Sequence, residues 1–341
     1  MDQQRSQNPQ TLVVLRALAL GDFLTGLPAL RALRRAFPEH LCFLTCPGWL
    51  KSLAQATGVA DKFIDSAKVP ERNGEHWSPD DLRDRIKLEQ AQLHGLVGPP
   101  NAPDIAVNLR GEREATQRVL LALRPRRLIA YRNNNVPETA HGPIWNPDEH
   151  EVTRWCRLLS ESGIPADPED LYLSLPEIEV PDFVRGSTLI HPGAGSPARF
   201  WPAERWAAVA KHELQRGRIV VITGGPDEVD LALEVAARSG IQRKYVLAGR
   251  TEILELAAIV SAAAVVVSAI TGVAHLAWAV KTPTVTLFAT VPPSRWGPPA
   301  SPEHRVLWSG IPGEPYASEQ DEGLLTLSVE AVTREIDALN G

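Results

Sequence analysis

Short apolar runs alternate along this chain with stretches in which apolar residues recur every third or fourth position. Leu12-Val13-Val14-Leu15 is the first run, and a turn at Ala19-Leu20-Gly21-Asp22 separates it from the helical spacing of Leu24, Leu27, Leu30, Leu33 and Phe37. That pattern predicts strand, tight turn and helix. It continues with a strand over 41–45 and a helix over 49–57 that Gly58 closes. Strands follow at 105–109 and 128–131, with a helical stretch over 112–123 between them. Two segments, 66–103 and 132–148, are rich in Pro, Asn, Gly and charge, with a helical island over 80–93. They read as long insertions, the kind of loop on which specificity is built.

A helix over 149–162 ends at Gly163, and the proline- and carboxylate-rich segment 165–185 reads as an interdomain connection. The alternation then starts again. Strands are expected at 187–191, 219–223, 245–247, 264–268 and 284–288, and helices over 203–216, 228–239, 253–262 and 273–280. Strands alternating with helices imply parallel sheets covered on both faces. The expected architecture is α/β: two doubly wound domains facing across a cleft, with ligands at the carboxyl ends of the strands. Residues 1–10 read as a disordered tail, 11–175 as the first domain, 176–186 as a linker and 187–341 as the second domain. The amphipathic stretch 328–339 is a terminal helix that either stays with the second domain or packs back on the first.

Composition then excludes several partners. With 341 residues, the chain is long enough for two such cores. Its net charge of −6 gives no basic footprint for nucleic acid. The one dense cluster of arginines, around Arg124–Arg127, reads first as a solvated surface. Cys42 and Cys46 sit four apart without histidines at zinc-ligand spacing, and with Cys156 the odd number of thiols suits a reducing compartment. The first ten residues lack the apolar core of a signal peptide, and the longest apolar run, 253–270, is broken by Glu255 and Ser261. A cytoplasmic protein without an integral membrane segment is expected.

Chemistry should sit in the turns that follow the strands. After the first strand of the second half comes His191-Pro192-Gly193-Ala194-Gly195-Ser196, then Arg199-Phe200-Trp201-Pro202. Small residues allow close backbone approach, and a guanidinium can clamp phosphate oxygens; a plain loop with a surface arginine is the alternative. Gly224-Gly225-Pro226-Asp227-Glu228 follows the next strand, and Glu228 can cap a helix or accept from a ribose diol. Ser268-Ala269-Ile270-Thr271-Gly272 precedes a helix whose free N–H groups would favour a diphosphate, and His275 lies one turn in, as a packed or a functional imidazole. In the first half, Asp22 reads equally as a helix cap or as a general base. Neither a P-loop nor the G-x-G-x-x-G dinucleotide fingerprint is present.

Taken in order, these turns resemble glycosyltransferase family 9, the heptosyltransferase-like enzymes, over roughly residues 11–299. The resemblance rests on Leu20-Gly21-Asp22 with Leu27-Pro28-Ala29-Leu30, and on His191-Pro192-Gly193-Ala194 with Trp201-Pro202 and Trp206. Thr271-Gly272 with His275-Leu276-Ala277, and Pro283–Phe288 leading to Pro292, complete it. It implies the GT-B fold of two Rossmann-like domains, the first binding acceptor and the second a nucleotide sugar. It further implies direct displacement with inversion, without metal or cofactor, from an ADP-linked or similar donor to a saccharide or natural-product hydroxyl. On that model Asp22 is the base, Arg199 replaces a lysine facing the donor phosphates and Glu228 holds the ribose. Thr271 and Gly272 cradle the diphosphate, His275 lies behind them, and Gly193, Ala194 and Gly224 complete the donor side. One departure stands out: the family commonly has Asp-Thr-Gly where this chain has Ile270-Thr271-Gly272, and that aspartate is expected to meet the donor sugar. A donor other than ADP-heptose is therefore expected, unless Ser268 supplies the missing acceptor. A sugar-nucleotide epimerase of the same fold, or a non-catalytic sugar-nucleotide-binding protein, is the alternative function.

Overall fold

A computed structural model describes residues 10–16, 19–65, 102–314 and 317–340. The expected helical island over 80–93 lies outside them. The chain divides into two compact units, one built from residues up to 147 with 151–170, the other from 148–150 and 171–341.

The first unit is a five-stranded parallel sheet in the order β3-β2-β1-β4-β5. Its strands are β1 (Thr11–Leu15), β2 (Leu41–Cys46), β3 (Lys62–Asp65), β4 (Ile105–Asn108) and β5 (Arg127–Ile129). β1 is buried along its whole length, which is why it reads as a continuous apolar run rather than an alternating one. Helices α1 (Leu20–Thr25), α2 (Leu27–Ala36), α3 (Lys51–Ala56), α4 (Glu114–Ala122) and α5 (Glu151–Glu161) accompany it. α2 buries Leu27, Leu30 and Leu33 and turns its arginines outward, where Arg31 and Arg35 pair with Asp170 at 2.7 Å each. The three thiols are buried, and burial pushes each up to about 12, which keeps them as inert packing groups.

The second unit repeats the plan, with strands β6 (Thr188–His191), β7 (Val220–Ile222), β8 (Val265–Ala269), β9 (Thr284–Phe288) and β10 (His304–Trp308) in the order β10-β9-β8-β6-β7. Its helices are α6 (Ala203–Gln215), α7 (Val229–Ser239), α8 (Ile253–Ala262), α9 (Gly272–Ala279), α10 (Pro293–Trp296), α11 (Glu322–Leu325) and α12 (Val329–Asn340). The terminal helix α12 belongs to this unit, with Val332 and Ile336 fully buried in its core beside Val209, Val285 and Leu287.

Two features differ from the sequence reading. The strand expected at 245–247 is a single parallel bridge, Ile222 to Val246, entered through a 3-10 turn at Arg243–Tyr245. Gly249, at φ +68°, then turns the chain away and donates to the Gly224 carbonyl at 2.9 Å, which ends the pairing. The segment 171–185 is bound into the second unit: Leu173 is buried and its N–H donates to the Ala279 carbonyl at 2.7 Å, while Phe183 packs on Tyr245. Among the described residues, no helix is long and apolar enough to cross a membrane.

Candidate active site

In the second sheet β6 is the strand at which the order reverses, with β7 on one side and β8 on the other. The turns leaving β6 and β8 therefore diverge, and ligands of doubly wound sheets bind where they do. His191, Ser268 and Thr286 stand in register across β6, β8 and β9, all buried near the carboxyl ends.

The turn after β6 runs close beneath Glu228. A Cβ on Gly193 would collide with the Glu228 carboxyl, and one on Gly224 would press on Ala248 and Glu228. Both positions are therefore small because the carboxylate passes over them. Glu228 Oε2 accepts from the Gly225 N–H at 2.7 Å, the cap reading of this residue, and lies 3.7 Å from His191 Nε2. His191 Nδ1 is 3.1 Å from Thr223 Oγ1. Burial lowers the His191 pKa against the pull of Glu228, so the ring serves as a neutral brace between Thr223 and that carboxylate. Ala194 is buried next to Gly193, and Arg199 closes a short 3-10 turn, Pro197–Arg199.

The turn after β8 carries three of the sequence-predicted residues. The Ile270 side chain is only 3% exposed and packs with Ala274, Trp278, Phe288 and Val291, with Trp296 and Trp308 against the same cluster. It thus anchors the turn in apolar surroundings. Thr271 occupies the position that caps α9, yet its hydroxyl makes no cap bond and has no hydrogen-bond partner. The first-turn N–H groups of this eight-residue helix, beginning at Gly272, are left without a side-chain cap. His275 is buried with its ring 4.6 Å from Trp278 and 5.7 Å from Trp296. Burial first, then His150 and Arg199, pushes its pKa down to about 3, so it is a neutral ring. The same couplings bring Arg199, His150 and His275 into one electrostatic neighbourhood. Buried hydroxyls of Ser196, Ser268 and Thr290 also lack partners, a concentration at the carboxyl ends of β6, β8 and β9 that protein groups leave unsatisfied.

Asp22 belongs to the first unit. It lies in the first turn of α1, where its side chain accepts from the Ala19 N–H at 3.2 Å, and it is partly exposed. Its backbone carbonyl accepts from Arg16 Nε at 2.8 Å. Arg16 itself is buried, donates to the Leu109 carbonyl at 2.5 Å and to Thr25 Oγ1 at 3.0 Å, and lies over Trp155. Its guanidinium is 3.8 Å from Glu151, and burial lowers its pKa against the pull of Glu151 and Asp22. Sequence reasoning passes over Arg16, although a lone cation directly after a fully apolar strand is a usable signal. His191, braced against Glu228, and His150, which meets the Gly297 carbonyl at 3.1 Å, are also missed. Nothing local in the sequence points to His150.

A cluster of His212, Glu213 and Asp337 offers three potential metal-ligand atoms. Its carboxylates are already engaged: Glu213 holds Arg218 and Thr188, and Asp337 holds Arg216 and His212. This is an ion-pair network joining α6 to α12.

Residues 139–324, more than half of the chain, match the family model described as glycosyltransferase family 9 (heptosyltransferase). The chain is 33% identical over 144 residues to lipopolysaccharide heptosyltransferase 3 of Escherichia coli, covering 41% of this chain and 42% of that protein. The chain covers between 33% and 61% of the length of the curated relatives it matches. The solved family 9 glycosyl transferase from Veillonella parvula superimposes with a TM-score of 0.72 at 19% identity, over 97% of both chains. The E. coli ADP-heptose lps heptosyltransferase II gives a TM-score of 0.69 at 20% identity, over 97% of this chain and 98% of that one. Both likenesses are of fold, the GT-B arrangement of two parallel-sheet α/β domains.

Proposed function

Because this chain belongs to glycosyltransferase family 9, we propose that it transfers a sugar from a nucleotide-diphosphate donor to a hydroxyl of a saccharide or natural-product acceptor. The observation that carries the reading is the uncapped start of α9 at the switch point, with the unpaired Thr271 hydroxyl and the Arg199 neighbourhood beside it. Open N–H groups at a helix N-terminus and a guanidinium suit a diphosphate. Glu228, fixed through Oε2, has its other oxygen to offer a ribose hydroxyl. The relative named for ADP-heptose supports an ADP-linked donor.

In this reading the Asp22 carboxylate takes the proton of the acceptor hydroxyl as its oxygen attacks the anomeric carbon. The bond from that carbon to the diphosphate oxygen breaks, configuration inverts, and the leaving nucleoside diphosphate keeps the electron pair. The N–H groups of α9 and the Arg199 charge stabilise it. His275, held neutral, packs behind this turn without adding charge to it.

The sugar is the finer question. The Ile270 side chain accepts no hydrogen bond and is spent on an apolar cluster. Leaving a sugar hydroxyl buried without a partner costs about 1–3 kcal/mol. The preferred donor is accordingly less hydroxylated on the side that meets this turn, a deoxy or amino sugar. Catalytic efficiency compared across nucleotide sugars tests both levels: no transfer from any of them removes the glycosyltransferase reading, and ADP-heptose ahead by tenfold or more removes the Ile270 argument alone. Donor incubated without acceptor, scored for epimer, excludes an epimerase.

A further inference from the structure

Most arginines around the second sheet have evident partners. Arg205 donates to the carbonyls of Leu325 and Leu327, Arg218 pairs with Glu213 and Arg238 with Glu234. Arg295 does not follow them. It is half-buried, its Nε is buried without a hydrogen-bond partner, and no carboxylate pairs with it among the described residues. Its Nε is thus withheld from water with no acceptor, a state that a ligand oxygen would satisfy.

The turn that bears it packs against the turn that leaves β8. Arg295 lies on α10, directly after the turn that leaves β9. The next residue, Trp296, packs on the cluster that holds Ile270 and meets the His275 ring at 5.7 Å. The Gly297 N–H closes the turn onto the Pro293 carbonyl at 2.7 Å, and a Cβ at Gly297 would strike that oxygen. His150 holds the Gly297 carbonyl from the other side. Thr290, 2% exposed and at the start of the same turn, has an unpaired hydroxyl of its own. The β8 and β9 turns are thus locked side by side, one presenting uncapped N–H groups and the other an unpaired cation.

We infer that Arg295 is a second phosphate-binding residue, which contacts phosphoryl oxygens of the nucleotide diphosphate from the β9 side while the start of α9 holds them from the β8 side. The inference rests on the diphosphate reading given above. A phosphoryl group on the acceptor would present the same chemistry, and binding without acceptor separates the two sources.

Calorimetric titration of the full chain with ADP, UDP, GDP and adenosine provides the test, on the parent and on Arg295→Gln, Arg295→Lys and Arg199→Ala. Arg295→Gln should weaken the preferred nucleoside diphosphate by about ten- to a hundredfold, the size of a charged hydrogen bond, and leave adenosine within twofold. Arg199→Ala should lose a similar amount, and Arg295→Lys should recover part of the loss, since it keeps the charge without the planar fork. Should Arg295→Gln fail to fold, the comparison of Arg295→Lys with the parent carries the test, with at least a threefold weakening expected. Diphosphate affinity within twofold of the parent in the folded Arg295 variants, or a defect seen only in acceptor KM, overturns the role of Arg295. A parent protein that binds none of the three diphosphates overturns the diphosphate reading, and the inference with it.

Discussion

The two sheets share a strand plan and part company at the turn where the order reverses. In the first, β1 leads straight into Arg16, which brings a cation of its own and spends it on protein acceptors: the carbonyls of Asp22 and Leu109, the Thr25 hydroxyl and the Glu151 carboxylate. In the second, the end of β8 and the turns after β6, β8 and β9 leave Ser268, Ser196, Thr271 and Thr290 without partners. Buried polar groups in native proteins are nearly all satisfied, so a cluster of exceptions marks a place that something else completes. One turn is finished by the chain; the other keeps open the groups that the proposed donor would complete.

The sharpest way to break this contrast is to show that the finished turn carries no chemistry. Asp22→Asn should lower turnover by roughly 10²–10⁴-fold, the contribution of a general base, with donor affinity unchanged. Turnover at the parent rate would reduce Asp22 to the cap of α1 that its bond to the Ala19 N–H already makes it.

Arg16→Met asks instead what the internal cation is for. Glu151 keeps its pair with Arg154 and the Trp155 ring N–H, but the Leu109 and Asp22 carbonyls lose their guanidinium donor, and a buried acceptor left unsatisfied typically costs about 1–3 kcal/mol. Urea unfolding should show that loss in the first unit. A change under about 1 kcal/mol, the range of an exposed pair, would mean that the contrast between the two turns is one of geometry and not of energy.

A graded effect, felt only as pH falls, concerns the second turn. Burial holds His275 near 3, below its ordinary 6.5, so the unfolded chain binds the extra proton first as pH falls. The stability this neutral ring contributes is complete above about pH 6.5 and is lost as pH drops towards 3, by at most about 1.4 kcal/mol per pH unit. His275→Gln should flatten that part of the stability–pH curve. An unchanged slope would show that the imidazole is already open to solvent.

Much of the plan is legible before any coordinates, because strands buried on both faces must be apolar throughout. Leu12–Leu15, Val265–Val267 and Thr284–Phe288 could hardly be read otherwise. His304–Trp308 escapes notice because it is an edge strand, with all five residues only half-buried and charge interleaved with Val306 and Leu307. The turns are visible as small and polar residues, and Glu228 shows the limit of that view. Its capping bond to Gly225 is a local pattern, whereas the brace from His191 spans 37 positions in sequence (228 − 191) and depends on how β6 and β7 pair. The unpaired hydroxyls are less legible still, since a serine or threonine looks the same in sequence whether or not its partner exists.

Residues 148–150 carry one more consequence. They belong to the second unit while their neighbours on both sides belong to the first, so the backbone passes between the units three times, at 147/148, 150/151 and 170/171. The halves of this protein are therefore not cassettes. A chimaera spliced at 170/171 would take most of its second unit from one parent and the His150 that meets the Gly297 carbonyl from the other, so the splice must carry this tripeptide along or give up a matched contact.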